Sequence, residues 1–207
     1  MAAPSPAAGR PALAAGFADP VHDAQRCFRA VMAAMAEPAR AVALPEPHIC
    51  PPAPLGPVMA AVALALLDFE TPFWLDPPLA AAPAVADFLR FHTGAPQVAD
   101  PGAAMFALIA DGAALPELPV FAQGAPDDPQ DGATLIVAVA ALHAGPLTLA
   151  GPGIPGVRGF GAAGLPADLA RRLAENAAGF PLGVDLILCG PAHLAGLPRT
   201  TRPVAEG

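Results

Sequence analysis

Proline is the tightest constraint on what this chain can fold into. Twenty-nine prolines and 20 glycines are spread through its 207 residues. Each proline fixes its own φ and removes a backbone donor, so no helix or strand runs far before meeting one. Between these breaks lie short apolar runs, among them Val58–Leu67, Ala104–Ala110 and Thr134–Val139. The prolines and glycines therefore punctuate a fold of many short elements; they do not form a low-complexity tract. The 55% hydrophobic content overstates the core, because 52 residues are Ala. Val, Ile, Leu and Phe together also number 52, about a quarter of the chain and above the roughly 20% level typical of disorder. Length allows one domain. Residues 1–16 read as a disordered Ala/Pro/Gly tail, and residues 17–207 as a single α/β domain.

Charge and missing residue types exclude several functions. Eighteen acids against ten bases give a net charge of −8, which argues against a nucleic-acid binder. The chain has no Lys, so neither a pyridoxal Schiff base nor a Walker A phosphate loop is possible. Any anion held by a fixed charge must be held by a guanidinium fork. The one serine, Ser5, lies in the tail, which removes a Ser-His-Asp hydrolase. Cys27, Cys50 and Cys189 are isolated, with no CxxC, so no disulfide framework is expected. His22, His92 and His143 lack the short spacings of a metal site. The N-terminus lacks a basic signal-peptide start, and the ten-residue run Val58–Leu67 falls short of the roughly 20 needed to span a bilayer. A cytoplasmic protein with no membrane and no nucleic-acid partner is expected.

Periodicity places the elements. Phe28, Val31, Met32 and Met35 follow the i, i+3, i+4, i+7 pattern. They predict a helix over Asp23–Glu37 with Asp23 as N-cap, Pro38 as stop and those four side chains facing the core. Val58–Leu67 reads as a buried helix. A short helix around Val85–Leu89 ends near Gly94. Asp168–Ala178 is the last helix. Strands are expected at Val42–Leu44, Thr71–Leu75, Ala104–Ala110, Thr134–Val139, Leu147–Ala150, Val184–Leu188 and Leu194–Leu197, and a Gly-rich loop over 151–164. Helices and strands alternate irregularly, which indicates α/β architecture with a mixed sheet covered on both faces. Within the literal GxGxxG of Gly151–Gly156, Pro155 disfavours the helical region at Ile154, and the next helical pattern starts only near Pro166, so the motif reads as a tight loop and not a dinucleotide site.

Three groups of residues are candidates for holding an oxyanion. Asp23, Gln25 and Arg29 lie on the first helix; snorkelling of Arg29 along the core edge is the alternative. His92 and Thr93 stand at a helix C-terminus, where helix capping is the alternative. Arg199 and Thr200 lie in Arg199-Thr200-Thr201-Arg202, which also reads as a polar segment closing a strand. The acids Asp127, Asp128 and Asp131 fall in a solvated loop. No catalytic residue and no metal ligand emerges from these patterns.

An ordered set of segments carries a family resemblance. These are Pro20-Val21-His22-Asp23-Ala24-Gln25-Arg26-Cys27-Phe28-Arg29 with Met35-Ala36-Glu37-Pro38, Thr71-Pro72-Phe73-Trp74-Leu75 and Phe91-His92-Thr93-Gly94-Ala95-Pro96. Gly132-Ala133-Thr134-Leu135, Gly151-Pro152-Gly153-Ile154, Phe180-Pro181-Leu182-Gly183-Val184-Asp185-Leu186 and Pro198-Arg199-Thr200-Thr201 complete it. Their order over residues 17–204 resembles the H-subunit (PhnH) family of the carbon–phosphorus lyase core complex. The resemblance implies a three-layer αβα mixed sheet like that of the pyridoxal-phosphate transferases, without the cofactor. It implies a homodimer when isolated, and assembly with G, I and J subunits for organic phosphonate catabolism. There the H subunit supports formation of a ribose 1-phosphonate 5-triphosphate from ATP and a phosphonate, with no cofactor of its own. In that setting Arg29 and Arg199 would hold phosphonate or triphosphate oxygens, Asp23 and Gln25 would orient Arg29, and His92 would donate to an oxyanion. The residues alone leave open an assembly subunit, a contributor to a shared active site, and a free-standing small-molecule or anion-binding α/β domain.

Overall fold

Alternating side chains in four short strands build two cores at once. The computed structural model describes residues 14–44 and 47–204. The central sheet has six strands: β1 (Val42–Ala43), β2 (Phe73–Leu75), β3 (Phe106–Ile109), β4 (Thr134–Ala138), β7 (Asp185–Cys189) and β8 (His193–Leu197). Their spatial order is β1-β8-β7-β4-β3-β2. β2, β3, β4 and β7 run parallel, while β8 and β1 turn back antiparallel at one edge. Because side chains alternate along a strand, Ile136, Leu108 and Ile187 enter one core and Leu135, Val137, Leu186 and Leu188 the other. Burial on both faces explains why these strands are continuous apolar runs.

The first face is covered by α1 (Pro20–Ala36), α2 (Pro57–Leu66) and α4 (Pro83–Thr93), with the one-turn α3 (Pro77–Ala80) beside β2. All of Val58–Ala63 in α2 is buried, as an all-apolar helix requires. α4 ends where expected, at Gly94 with φ 74°, the left-handed cap that glycine supplies without strain.

The second face carries one helix, α5 (Leu169–Ala178), and a three-stranded sheet ordered β6-β5-β9, from β5 (Ala141–Ala150), β6 (Arg158–Ala163) and β9 (Arg202–Pro203). β6 is a correction to the expected 151–164 loop, of which only the first half is loop. Its sequence Arg-Gly-Phe-Gly-Ala-Ala has weak strand character because β5 passes so close. A Cβ on Gly161 would stand 2.4 Å from His143 Cε1. Backbone meets backbone opposite it, where a Cβ on Gly145 of β5 would lie 2.7 Å from Gly161 Cα and from the Phe160 carbonyl oxygen, and glycines at such a contact erase the period-2 signal.

α1 departs from the sequence reading in two ways. It starts three residues earlier, because Asp19 rather than Asp23 is the N-cap, accepting the His22 N–H at 3.1 Å, with Pro20 at the first helical position. The buried face is also the small one. Cys27, Ala30, Val31 and Ala34 are buried, while Phe28 and Met32 are 48% and 53% exposed. The reason lies across the contact, at Gly196 of β8. A Cβ at that position would sit 2.6 Å from the Ala34 carbonyl oxygen and 2.7 Å from Met35 Sδ. Helix and sheet approach so closely that the sheet position facing Ala34 and Met35 has no room for a side chain.

Of the predicted tail, residues 1–13 lie outside the described residues, whereas Ala14 already accepts a hydrogen bond from His92 Nε2 at 3.0 Å. Among the described residues no helix is long and apolar enough to cross a membrane.

The α1–β8 contact gives a direct test. Gly196→Val forces the Ala34 backbone away, and overpacking of this kind costs about 2 kcal/mol. Urea unfolding should show a lower midpoint with an unchanged slope.

Candidate functional site

The three sequence-predicted groups occupy separate places. No hydrogen bond or ion pair among the described residues joins one group to another. On α1, Asp23 binds Arg26, not Arg29, and its carboxylate also accepts the Asp19 N–H at 3.0 Å. The expected Asp23–Gln25–Arg29 unit is thus replaced by an Asp23–Arg26 pair. The spacing decides it: positions three apart are neighbours on a helix, and positions six apart are not. Gln25 and Arg29 point outward, exposed.

At the end of α4, each polar group is occupied locally. Thr93 Oγ1 donates to the Leu89 carbonyl at 2.8 Å and accepts the Ala95 N–H at 3.0 Å, which closes the helix end. His92 packs edge-on against Phe88 and Phe91, with ring centroids 4.6 and 5.0 Å away, and bonds Ala14. Arg90 pairs with Asp87.

Arg199 has the densest set of contacts. Its backbone N–H donates to Asp185 Oδ1 at 2.7 Å, and its Nε and Nη2 reach Asp185 Oδ2 at 3.2 and 2.7 Å. Nη1 donates to the carbonyls of Pro129 (2.6 Å) and Pro181 (3.3 Å), and Nη2 lies 3.4 Å from that of Gly132. The side chain is 12% exposed. This guanidinium joins the start of β7, the end of β8, the 129–132 turn and the turn before β7. Thr200 is half-buried beside it, and its carbonyl oxygen would stand 2.9 Å from a Cβ on Gly151.

Asp23 is the predicted residue that lines a cavity. A cleft of about 160 Å³ between α1 and the segment after β1 is bounded by Phe17, Asp23, Arg26, Cys27, Leu44 and His48, among others. It gathers a guanidinium, a carboxylate and an imidazole. Arg26 and His48 were not singled out by sequence reasoning. The i, i+3 spacing of Asp23 and Arg26 was the available signal for the first, and the second had none. Burial pushes the Cys27 thiol up to about 12, and burial also raises Cys189, with Cys27 a second cause. Both stay protonated at neutral pH and are not nucleophiles.

A larger cavity of about 240 Å³ lies against α5, lined by Leu118, Gln123, Arg172, Glu175, Asn176 and Leu182 among others. Arg172 is tied to Asp168, to Glu117 and to the carbonyls of Leu115 and Pro116. Asn176 exchanges two 2.9 Å hydrogen bonds with the Val184 backbone. These groups fasten the helix to its surroundings. Among the described residues no three His, Cys, Asp or Glu side chains cluster closely enough to hold a metal ion.

Two outcomes follow from this geometry. Arg199→Ala strands the Asp185 carboxylate, which is 20% exposed, and should cost about 3 kcal/mol of stability in denaturant unfolding. Arg199→Lys should recover little of it, since an ammonium lacks the fork. Thiol titration with an aromatic disulfide should label one cysteine in the native protein, the exposed Cys50, and all three after denaturation, because Cys27 and Cys189 are buried.

Comparison with known proteins places these features in a family. Residues 15–204 match the family described as bacterial phosphonate metabolism protein (PhnH). The chain is 41% identical over 187 residues to the alpha-D-ribose 1-methylphosphonate 5-triphosphate synthase subunit PhnH of Rhizobium meliloti (strain 1021), covering 90% of this chain and 92% of that one. It is 39% identical over 85 residues to the putative C-P lyase subunit protein HtxG of Stutzerimonas stutzeri, which covers 41% of this chain and 44% of the relative. The mixed sheet with its small-faced first helix, and the Arg199 junction, are therefore features of a chain that belongs to the PhnH family.

Proposed function

We propose that this chain is a subunit of a carbon–phosphorus lyase system in organic phosphonate catabolism, where it supports formation of a ribose 1-phosphonate 5-triphosphate from ATP and a phosphonate. The observation that carries the reading is the 41% identity, over 90% of the chain, to a relative named as a subunit of the corresponding methylphosphonate synthase. In this reading the transfer chemistry belongs to the assembled complex, and the G, I and J subunits are its partners. The isolated chain is a cytoplasmic homodimer of one α/β domain without a cofactor, akin to the pyridoxal-phosphate transferase fold. The absence of a Lys and the protonated state of the two buried thiols support a chain that is not the nucleophile.

Within this reading the candidate contacts to substrate remain Asp23, Gln25, Arg29, His92, Thr93, Arg199 and Thr200, and their weights differ. Arg29 is exposed and has no ion pair or hydrogen bond among the described residues, so its guanidinium is available to a phosphonate or triphosphate oxygen supplied through the complex. Arg199 acts from within the fold, holding Thr200 in place.

Growth on methylphosphonate as sole phosphorus source tests the reading. A strain lacking the gene should fail on methylphosphonate, grow normally on inorganic phosphate, and recover with the wild-type chain. Normal growth of the deleted strain on methylphosphonate would sink it. Arg29→Ala should fold as the wild type and slow the transfer about tenfold or more, the loss expected for one charge-assisted contact. Unchanged product formation in the reconstituted system would remove Arg29 from the site.

A further inference from the structure

Two phenylalanine rings stand in water near the end of α4. Phe69 is 73% exposed and Phe91 is 65% exposed, the two highest exposures among the large apolar side chains described. Both lie near Gly94. Phe91 lies one helical turn before it on α4, and a Cβ on Gly94 would touch the Phe69 Cβ at 3.6 Å. Phe69 is held out on purpose-built backbone. Thr71 Oγ1 accepts the Asp68 N–H at 2.7 Å and donates to the Asp68 carbonyl at 3.0 Å, Asp68 Oδ1 accepts the Glu70 N–H at 2.9 Å, and the Thr71 N–H reaches the Asp68 carbonyl. The ring therefore rides on a turn that loses little freedom when something covers it.

The rim of this patch is acidic. Asp68 and Glu70 flank Phe69 in sequence, and Asp87 lies four residues before Phe91 on the same helical face. Arg90 is the one cation among them, and it is paired with Asp87. We infer that the Phe69–Phe91 face is the docking surface for a different polypeptide, one that presents an apolar side chain flanked by Lys or Arg. Aromatic centres with a charged rim are the make-up of protein interfaces, and a Lys or Arg lying over a phenyl face adds its own attraction.

Charge decides against a second copy of this chain as the occupant. The protein has no Lys and carries a net charge of −8. Among the described arginines, Arg26, Arg40, Arg90, Arg158, Arg171, Arg172 and Arg199 are already bound to carboxylates or backbone carbonyls. A copy could answer Asp68 and Glu70 only with Arg29 or Arg202, the described arginines without such a partner, and two Phe69–Phe91 faces set against each other repel. The inference rests on the assembly reading above, and it names the surface that reading needs.

The test is co-purification of the tagged full-length chain expressed with its proposed partner subunits. The wild-type chain should retain a partner in fixed proportion, and retention should fall as salt is raised from about 0.1 M to about 1 M, where exposed charges are screened. Phe69→Ser with Phe91→Ser should lower retention about tenfold or more, as loss of a central aromatic pair does. Glu70→Lys should act in the same direction through association rate. Phe28→Ser with Met32→Ser, on the outer face of α1, should leave retention unchanged, and circular dichroism should confirm that each variant is folded. If the wild type retains partners and the Phe69/Phe91 variant retains them equally, the docking face is wrong while the assembly reading stands. If the wild type retains none, the assembly reading falls and the docking proposal with it. If the wild type alone is a dimer in sedimentation and the Phe69/Phe91 variant is a monomer, a second copy covers the face and the proposal is overturned.

Discussion

The Arg199–Asp185 junction is the interaction on which the order of the sheet depends. Asp185 is the first residue of β7, and Arg199 follows β8 after a single proline. One carboxylate oxygen takes the backbone N–H of Arg199 and the other takes its guanidinium, so the parallel-to-antiparallel change at β7–β8 is fixed at its open end. The remaining donors gather the carbonyls of Pro129, Gly132 and Pro181. One side chain thereby ties the 129–132 turn and the turn before β7 to the end of β8. A Cβ on Gly132 would lie 2.6 Å from Arg199 Nη1, so the glycine is part of the same junction. Only a flat fork with five donors serves this geometry.

The same economy runs through the chain's other cations. Arg172 secures α5 to the carbonyls of Leu115 and Pro116, and Arg158 reaches from β6 to the carbonyl of Pro38 just beyond α1. With guanidinium groups engaged in holding loops and no Lys on the exterior, the surface is left with an excess of carboxylates. The formal charge of −8 sets the sign of whatever approaches from outside.

Sequence patterns revealed the sheet better than its surroundings, for physical reasons. Thr134–Val139 and Val184–Leu188 are visible because a strand buried on both faces has to be apolar throughout. α2 is visible for the same reason. β6 was hidden because it faces β5 through Gly145 and Gly161, and glycine stands where a strand-forming residue would otherwise signal. α1 was found, but only part of its expected core stripe faces inward: Val31 is buried and Met35 partly so, while Phe28 and Met32 are exposed, because the helical period marks a stripe without saying how it is turned toward the sheet. The deciding residue was Gly196, far away in the chain, whose missing side chain admits the Ala30/Ala34 face and turns Phe28 and Met32 outward. The candidate anion groups were legible as residue types but not as partners. Asp23 chose Arg26, His92 chose Ala14, and Arg199 chose Asp185, and each choice rests on the local turn or on a contact that one-dimensional spacing does not encode.

Alanine-rich packing also accounts for where the large apolar side chains went. A core that seats helices through Ala30, Ala34, Ala60, Ala61 and Ala63 brings backbones close and buries area by proximity instead of by side-chain size. Less room remains for rings, and Phe28, Phe69, Phe91 and Phe180 stand outside it, each about half exposed or more. A monomer gains nothing by hydrating four phenyl rings, since each forfeits about 2 kcal/mol of available burial. For a chain whose relatives are named as subunits, the arrangement has a use. In the proposed docking, the burial withheld at Phe69 and Phe91 is regained against another protein. Of the four, Phe69 and Phe91 lie near one helix end, with Phe69 on a turn already fixed and between Asp68 and Glu70, so in that proposal the exposed area and the surplus charge act on the same partner.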